Sequence, residues 1–383
     1  MKKMKLWMLA AILTLCGFSV LTSCSDDDNG VPADEVELQL QQMTLREKVG
    51  QMFFVRPESL DPTAAGKIYT ELKLQEVNDN MKNLNKQYPV GGVVLFAHNI
   101  NDESQLTQFT SQLHKLNGSP LLCIDEEGGR VARIAKNTNF NVEVVGPMGD
   151  IGATGNPENA YNAAKTIGTY LKKYGFDIDF APVADVNTNP ENIVIGNRAF
   201  SDDPNVAAPM VVNYLQGLKD AGIIGCIKHF PGHGDTQADT HYGYAQTMKT
   251  WDEIRNCEMI PFKAGIDWGC QLIMTAHIGA PNVTGSDVPA TLSSLILQDK
   301  LRGELGYNNV IIADAMEMGA ITKQYASDEA VILGIQAGLD IILLPMDFEN
   351  VFDAVVSAVE KGVISQQRID QSVRRILKLK SSR

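Results

Sequence analysis

No glycine-rich loop of the spacing that cradles phosphate groups occurs in the 383 residues, and no G-x-S-x-G elbow, so neither phosphate-cradle nor serine-nucleophile chemistry of those types is indicated. Positive charge is scarce. The 33 Lys and Arg stand against 46 Asp and Glu, a net charge of −13 that makes nucleic acid a poor partner. Cysteine is sparse as well: of six, Cys16 and Cys24 lie near the N-terminus, beside Cys123, Cys226, Cys257 and Cys270. Cys123 and Cys226 sit inside apolar runs as buried thiols do, which argues against a disulfide framework without excluding one pair. No Pro- or Ser-rich linker, low-complexity tract or short repeat divides the body of the chain, so its length reads as one large domain.

What is present begins with Lys2, Lys3 and Lys5, followed by an apolar stretch from Leu6 to Leu21. That stretch falls short of the roughly 20 residues a spanning helix needs, and its order of positive, apolar and small residues is that of a secretory signal. Leu21-Thr22-Ser23-Cys24 resembles a bacterial lipobox, which implies cleavage before Cys24 and a membrane anchor made of acyl chains on that residue. The acidic run Asp26-Asp27-Asp28 resembles a surface-export signal of bacterial lipoproteins. On this reading residues 1–23 are a signal peptide, 24–37 an acidic tether and 38–383 the folded domain. The expected location is that of an exported lipoprotein anchored in the outer membrane, periplasmic or surface-exposed. Removing residues 1–23, which hold three lysines and no acid, takes the net charge from −13 to −16.

Short apolar runs recur at Gln51 to Val55, Gly92 to Phe96, Leu121 to Ile124, Ile178 to Pro182, Gly225 to Ile227, Leu272 to Met274, Val310 to Ile312 and Ile341 to Leu344. Helical periodicity marks Glu158 to Tyr174, Asn205 to Ala221, Asp252 to Trp268, Leu292 to Leu305, Ser327 to Ala337 and Glu349 to Lys361, with a last amphipathic helix around Ile369 to Leu379. Continuous apolar strands alternating with helices imply a parallel sheet covered by helices. Eight such units predict an α/β fold, a (β/α)8 TIM-type barrel forming a single catalytic domain, with a doubly wound open sheet as the competing architecture. The barrel is favoured by where polar residues fall. Asp125, Lys228, His229, His277 and Asp314 each stand at or just beyond the end of an apolar run, and in a barrel those ends converge on the face where active sites are built.

The densest chemistry lies from Lys228 to His241, KHFPGHGDTQADTH, with three of the chain's six histidines. Pro231, Gly232 and Gly234 forbid a regular helix there, so an irregular backbone must place the polar groups. Asp239 and His241 are two apart, so in an extended loop their side chains point to one side. Such a pair suits proton donation, because the carboxylate raises the imidazole pKa, fixes its tautomer and leaves the other nitrogen free. The alternative is a metal site from His229, His233 and His241 with Asp235, although Pro231 and Gly232 break the helix that would aim the rings at one ion. Lys228 at a strand end would be costly to bury unless paired with an acid such as Asp125.

Asp314 ends the run from Val310 among small and apolar neighbours, a position for a nucleophile or for a helix cap, with Glu317 as a competing carboxylate. In IDEEGGRVAR, Ile124 to Arg133, Gly128 and Gly129 permit a tight turn that lets Asp125 and a later arginine approach one ligand. GNRAF, Gly196 to Phe200, adds Arg198 after the fourth run.

Together, IDEEGGRVAR, GNRAF, KHFPGHGDTQADTH and the strand ending at Ala313-Asp314 resemble, in order, the catalytic barrel of glycoside hydrolase family 3, from about Leu38 to the C-terminus. The Asp-x-His pair is similar to that of the β-N-acetylhexosaminidase branch, whose acid/base is a histidine. The β-glucosidase branch generally takes its acid from a further domain, for which this chain is expected to have no room. The resemblance implies Asp314 as nucleophile, His241 as acid/base and Asp239 as its partner. It implies Asp125, Arg133, Arg198, Lys228 and His229 as sugar binders, and no metal or cofactor. Glu126 stands where many such enzymes have glutamine and is expected to alter the charge of the mouth.

The function expected from the resemblance is retaining, exo-acting hydrolysis of β-N-acetylglucosaminides, peptidoglycan fragments or other glycans. A β-glucosidase, a β-xylosidase, a phosphorolytic enzyme of the same branch and a sugar-binding lipoprotein without turnover are the alternatives.

Overall fold

Residues 33–64, 73–236 and 244–383 are described by a computed structural model, and in it all eight apolar runs form strands. They are β1 (Phe53–Val55), β2 (Gly92–Val94), β3 (Leu121–Ile124), β4 (Ile178–Asp179), β5 (Ile224–Phe230), β6 (Leu272–Thr275), β7 (Val310–Ala313) and β8 (Ile342–Leu343). Every residue in them is buried, because helices cover the outer face and packed side chains fill the inner one. That is why the runs show no polar alternation.

All neighbours pair in parallel, in the spatial order β8-β1-β2-β3-β4-β5-β6-β7. A parallel bridge between Ile312 and Ile341 returns β7 to the residue before β8, and the ring closes. Chain order therefore equals spatial order, as in a barrel, whereas a doubly wound sheet reverses direction at a switch point.

Five of the seven predicted helices appear as read or nearly so, the last three as Ser327–Ala337, Phe348–Glu360 and Gln366–Ser381. Pro157–Lys173 is capped by the side chain of Asn156 and Pro204–Asp220 by that of Asp203, each with proline at the first turn. They pack closely because Gly217 lies against the neighbouring backbone, where a β-carbon would come within 2.3 Å of the Tyr161 carbonyl oxygen. The segment predicted as one helix from Asp252 to Trp268 is instead two, Trp251–Arg255 and Met259–Trp268. Between them Glu258 turns inward, 1 % exposed, to pair with Lys249. The segment Leu292 to Leu305 divides into a short turn, Ala290–Leu292, and a wide π-helical stretch, Leu295–Glu304.

The helix Ala33–Gln42 crosses the expected tether boundary between residues 37 and 38, with Val36 and Leu40 buried and Glu37 paired to Arg374. At the end of the barrel where strands begin, Asp340 is wholly buried and meets Arg302 at 2.6 Å, Arg375 at 3.0 Å and the Ser372 hydroxyl at 2.6 Å. These contacts fasten the last helix, Gln366–Ser381, under the barrel. No helix among the described residues is long and apolar enough to cross a membrane.

Candidate functional site

β5 is longer than the apolar run that announces it, because its ladder continues to Phe230 and carries Lys228 and His229 within it. Pairing to β6 shifts register between Ile227 and Phe230, at those polar residues. Lys228 is 2 % exposed, and its ammonium lies 2.9 Å from Asp125 Oδ1 and 2.6 Å from Glu127 Oε1. The predicted pairing with Asp125 is present and a second acid is added. Burial alone would depress the lysine pKa, but Asp125 and Glu127 reverse this and hold it above its ordinary value.

Glu127 joins two loops. Its carboxylate accepts Arg198 Nε and Nη2 at 2.8 Å each, a bidentate fork, while Lys228 approaches from the other side. Burial would raise that carboxyl, yet Arg198 and Lys228 hold it well below the usual carboxylate range. Arg133 Nη2 stands 3.6 Å from Asp125 Oδ2. Gly128 and Gly129, at φ of 86° and 54°, make the predicted tight turn between Asp125 and Arg133.

His229 is oriented by Asp185, whose Oδ2 lies 2.7 Å from His229 Nδ1. The same carboxylate accepts the backbone N–H of His229 at 3.1 Å and of His233 at 2.7 Å. His229 Nε2 is left toward Arg198 Nη2, 3.4 Å away. His233 is buried with Nδ1 2.7 Å from the Thr236 hydroxyl. Its pKa is lowered by burial and by His229, with Asp185 and Asp314 acting in the opposite direction. Gly234 presses on the preceding loop, where a β-carbon would fall 1.9 Å from the Val186 carbonyl oxygen. The first part of the histidine-rich segment is thus a packed wedge. Its Asp235 accepts the Thr247 hydroxyl at 2.8 Å, just past a small parallel ladder of Ala245–Gln246 with Ile278–Gly279.

Asp314 follows β7 directly. Its backbone N–H donates to the Thr275 carbonyl at the end of β6, and its Oδ1 accepts the Ala315 N–H at 2.7 Å. His277 supports the same turn, its Nε2 lying 3.0 Å from the Ala315 carbonyl oxygen and Nδ1 2.9 Å from the Thr291 hydroxyl. The rival carboxylate, Glu317, is engaged by the buried guanidinium of Arg56 after β1.

The structure therefore brings Asp125, Arg133, Arg198, Lys228 and His229 into one charged set at the ends of β3, β4 and β5, with Asp314 at the same end of the barrel. Asp239, His241 and Cys24 lie outside the described residues. Among the described residues no group of three or more His, Cys, Asp or Glu could hold a metal ion. Glu126 is 0 % exposed, its carboxylate taken up by the backbone amides of residues 133–135 and the Tyr170 hydroxyl, so it lies behind the mouth and does not line it.

Glu127 and Asp185 were missed by sequence reasoning. Glu127 is two residues beyond Asp125, a spacing that puts both on one side of an extended segment. Asp185 ends the apolar stretch that continues β4, the same signal that singles out Asp314.

The sequence model described as Glycosyl hydrolase family 3 N terminal domain matches residues 44–379. Beta-hexosaminidase A of Pseudoalteromonas piscicida is 34% identical over 334 residues, covering 79% of this chain and 55% of that protein. The Beta-hexosaminidase of Stenotrophomonas maltophilia (strain K279a) is 36% identical over 262 residues, 67% of this chain and 76% of that one. A solved glycoside hydrolase family 3 beta-N-acetylglucosaminidase from Paenibacillus sp. str. FPU-7 superposes with a TM-score of 0.80 at 36% identity, over 89% of this chain and 62% of the other. The chain spans about half the length of the first relative and less than two thirds of the solved one.

Proposed function

The chain belongs to glycosyl hydrolase family 3, and from that membership we propose that it is a retaining exo-β-N-acetylhexosaminidase acting on terminal β-N-acetylglucosaminides. The observation that carries the reading is Asp314 at the end of β7, at the same end of the barrel as the fixed set of Asp125, Arg198, Lys228 and His229. Relatives named as hexosaminidases at 34% and 36% identity support the same substrate class.

In the proposed chemistry a sugar sits against the charged set, its hydroxyls bound by Asp125, Arg133, Arg198, Lys228 and His229. The Asp314 carboxylate bonds to the anomeric carbon as the glycosidic C–O bond breaks, and the departing oxygen takes a proton from His241. Asp239 holds the imidazole oriented and charged. Water then attacks the same carbon from the vacated side, gives its proton to His241 and frees Asp314. Two inversions leave the anomeric configuration unchanged.

The proposal extends to Cys24 as a lipidated residue holding the domain at the outer membrane, where peptidoglycan fragments would be substrates. Incorporation of a labelled fatty acid that is lost in Cys24→Ala tests the anchor.

The activity is tested with a 5-fluoro N-acetylhexosaminyl fluoride, which keeps the C2 acetamido group and stalls the glycosyl-enzyme. Peptide mass spectrometry should place the adduct on Asp314. Turnover of an aryl β-N-acetylglucosaminide should far exceed that of the aryl β-glucoside. The reverse preference would reject the branch, and phosphate-dependent release of a sugar 1-phosphate would make the enzyme a phosphorylase.

A further inference from the structure

Directly behind the charged mouth lies a second, fully buried acid that touches none of its side chains. The Glu126 carboxylate accepts the backbone N–H groups of Arg133, Ile134 at 3.0 Å and Ala135 at 2.8 Å, together with the Tyr170 hydroxyl at 2.9 Å. Its own backbone N–H donates to Asp179 Oδ1 at 2.9 Å, so both ends of the residue are held. Two Glu126 oxygens thus collect three successive amides of the loop that returns from the Gly128-Gly129 turn. The first of those amides belongs to the residue whose guanidinium faces Asp125. A carboxylate gathering consecutive N–H groups fixes a loop more tightly than surface contacts would, because the released amide of buried Ile134 would be left without an acceptor.

Arg133 itself carries a buried Nε with no hydrogen-bond partner among the described residues. A buried donor left over at a mouth is in place for an acceptor that arrives with a ligand.

We propose that Glu126 and Tyr170 are positioning residues for substrate binding, which set the place of Arg133 through the backbone amides of residues 133–135. Tyr170 comes from the helix Pro157–Lys173 outside the barrel, so the mouth is registered against the helical layer and not against its own loop alone. The inference rests on the reading of Arg133 as a sugar-binding residue.

Tyr170→Phe removes one hydroxyl and keeps the ring. It should raise KM for an aryl β-N-acetylglucosaminide by about threefold to tenfold, the scale of one hydrogen bond, with kcat little changed. Glu126→Ala should raise KM further, and Glu126→Gln, which keeps one acceptor oxygen, should recover part of the loss. In an Arg133→Ala background Tyr170→Phe should add nothing, since both act through one group. Unchanged KM in Tyr170→Phe, or an equal rise with and without Arg133, would overturn the proposal. If wild type does not turn the substrate over, the proposed activity fails separately. Amide exchange then decides the positioning: faster exchange at residues 133–135 in Tyr170→Phe supports it, and unchanged exchange rejects it.

Discussion

Lys228 and Glu127 meet at 2.6 Å inside the barrel mouth, with side chains 2% and 3% exposed. The contact does more than join β5 to the loop after β3, because Arg198 from the loop after β4 grips the same carboxylate. Glu127 is the counter-ion that the two cations share, Lys228 having Asp125 as well, and it lets them sit out of water where a neutral sugar can meet them. Glu127→Ala should therefore cost about 3–5 kcal/mol of stability, as expected when a buried charge loses its partner, and should raise KM as Lys228 and Arg198 move apart. Glu127→Gln should fall between. Urea denaturation and steady-state kinetics read the two effects; an alanine variant as stable as wild type with unchanged KM would show that the cations need no such partner.

The proposed acid/base is checked by varying the leaving group. Protonation matters little when the departing oxygen is already a stable phenolate and much when it is a sugar alkoxide. His241→Ala should lose about 10²–10⁴-fold on a disaccharide, the range for general acid–base catalysis, and markedly less in the glycosylation step of an activated aryl glycoside. Asp239→Asn should show the same leaving-group pattern in weaker form. Equal losses on both substrates would mean that His241 binds sugar and moves no proton.

The strands were legible because a parallel sheet buried on both faces leaves an uninterrupted apolar run, and all eight runs became strands. The extension of β5 through Lys228 and His229 was hidden, since polar residues in a strand are tolerated only by partners distant in sequence, Asp125, Glu127 and Asp185. The break at Glu258 was hidden for a similar reason: its burial depends on Lys249. At the site, residues at strand ends were readable one by one. Glu127 was harder to read: its two-residue step from Asp125 marks its side, but the cations that bury it, Lys228 and Arg198, come from distant segments, as does Tyr170, the side-chain partner of Glu126.

Asp185 gives the site a pH dependence of known sign. Burial would raise its carboxyl, but His229 and the His233 amide outweigh burial and hold it below its ordinary value of 3.8. The unfolded chain protonates this group near 3.8 and the folded chain only at lower pH. The stability it contributes is therefore complete above that value and is lost as pH falls below it. Asp185→Asn should lower stability by about 1.5–3 kcal/mol at neutral pH, the worth of hydrogen bonds to a charged group, and raise KM by freeing His229. Denaturant midpoints for both proteins should converge as the pH drops below 3.8; a gap constant down to the acid limit would contradict the assignment.

Asp340 allows stability to be separated from activity. It precedes β8, at the end of the barrel opposite Asp314, and offers its carboxylate to Arg302 and Arg375 while Arg368 stands 3.6 Å away. Removing that single acid strands three guanidinium groups around one buried position, and the Ile311 N–H loses its acceptor as well. Asp340→Ala should cost about 3–5 kcal/mol and loosen the last helix, visible as faster amide exchange along Gln366–Ser381. In a barrel the face where strands begin serves stability and the opposite face serves chemistry, so kcat and KM of the fraction that remains folded should match wild type. A changed KM in this variant, measured well below its melting temperature, would mean that the last helix communicates with the mouth through the barrel wall.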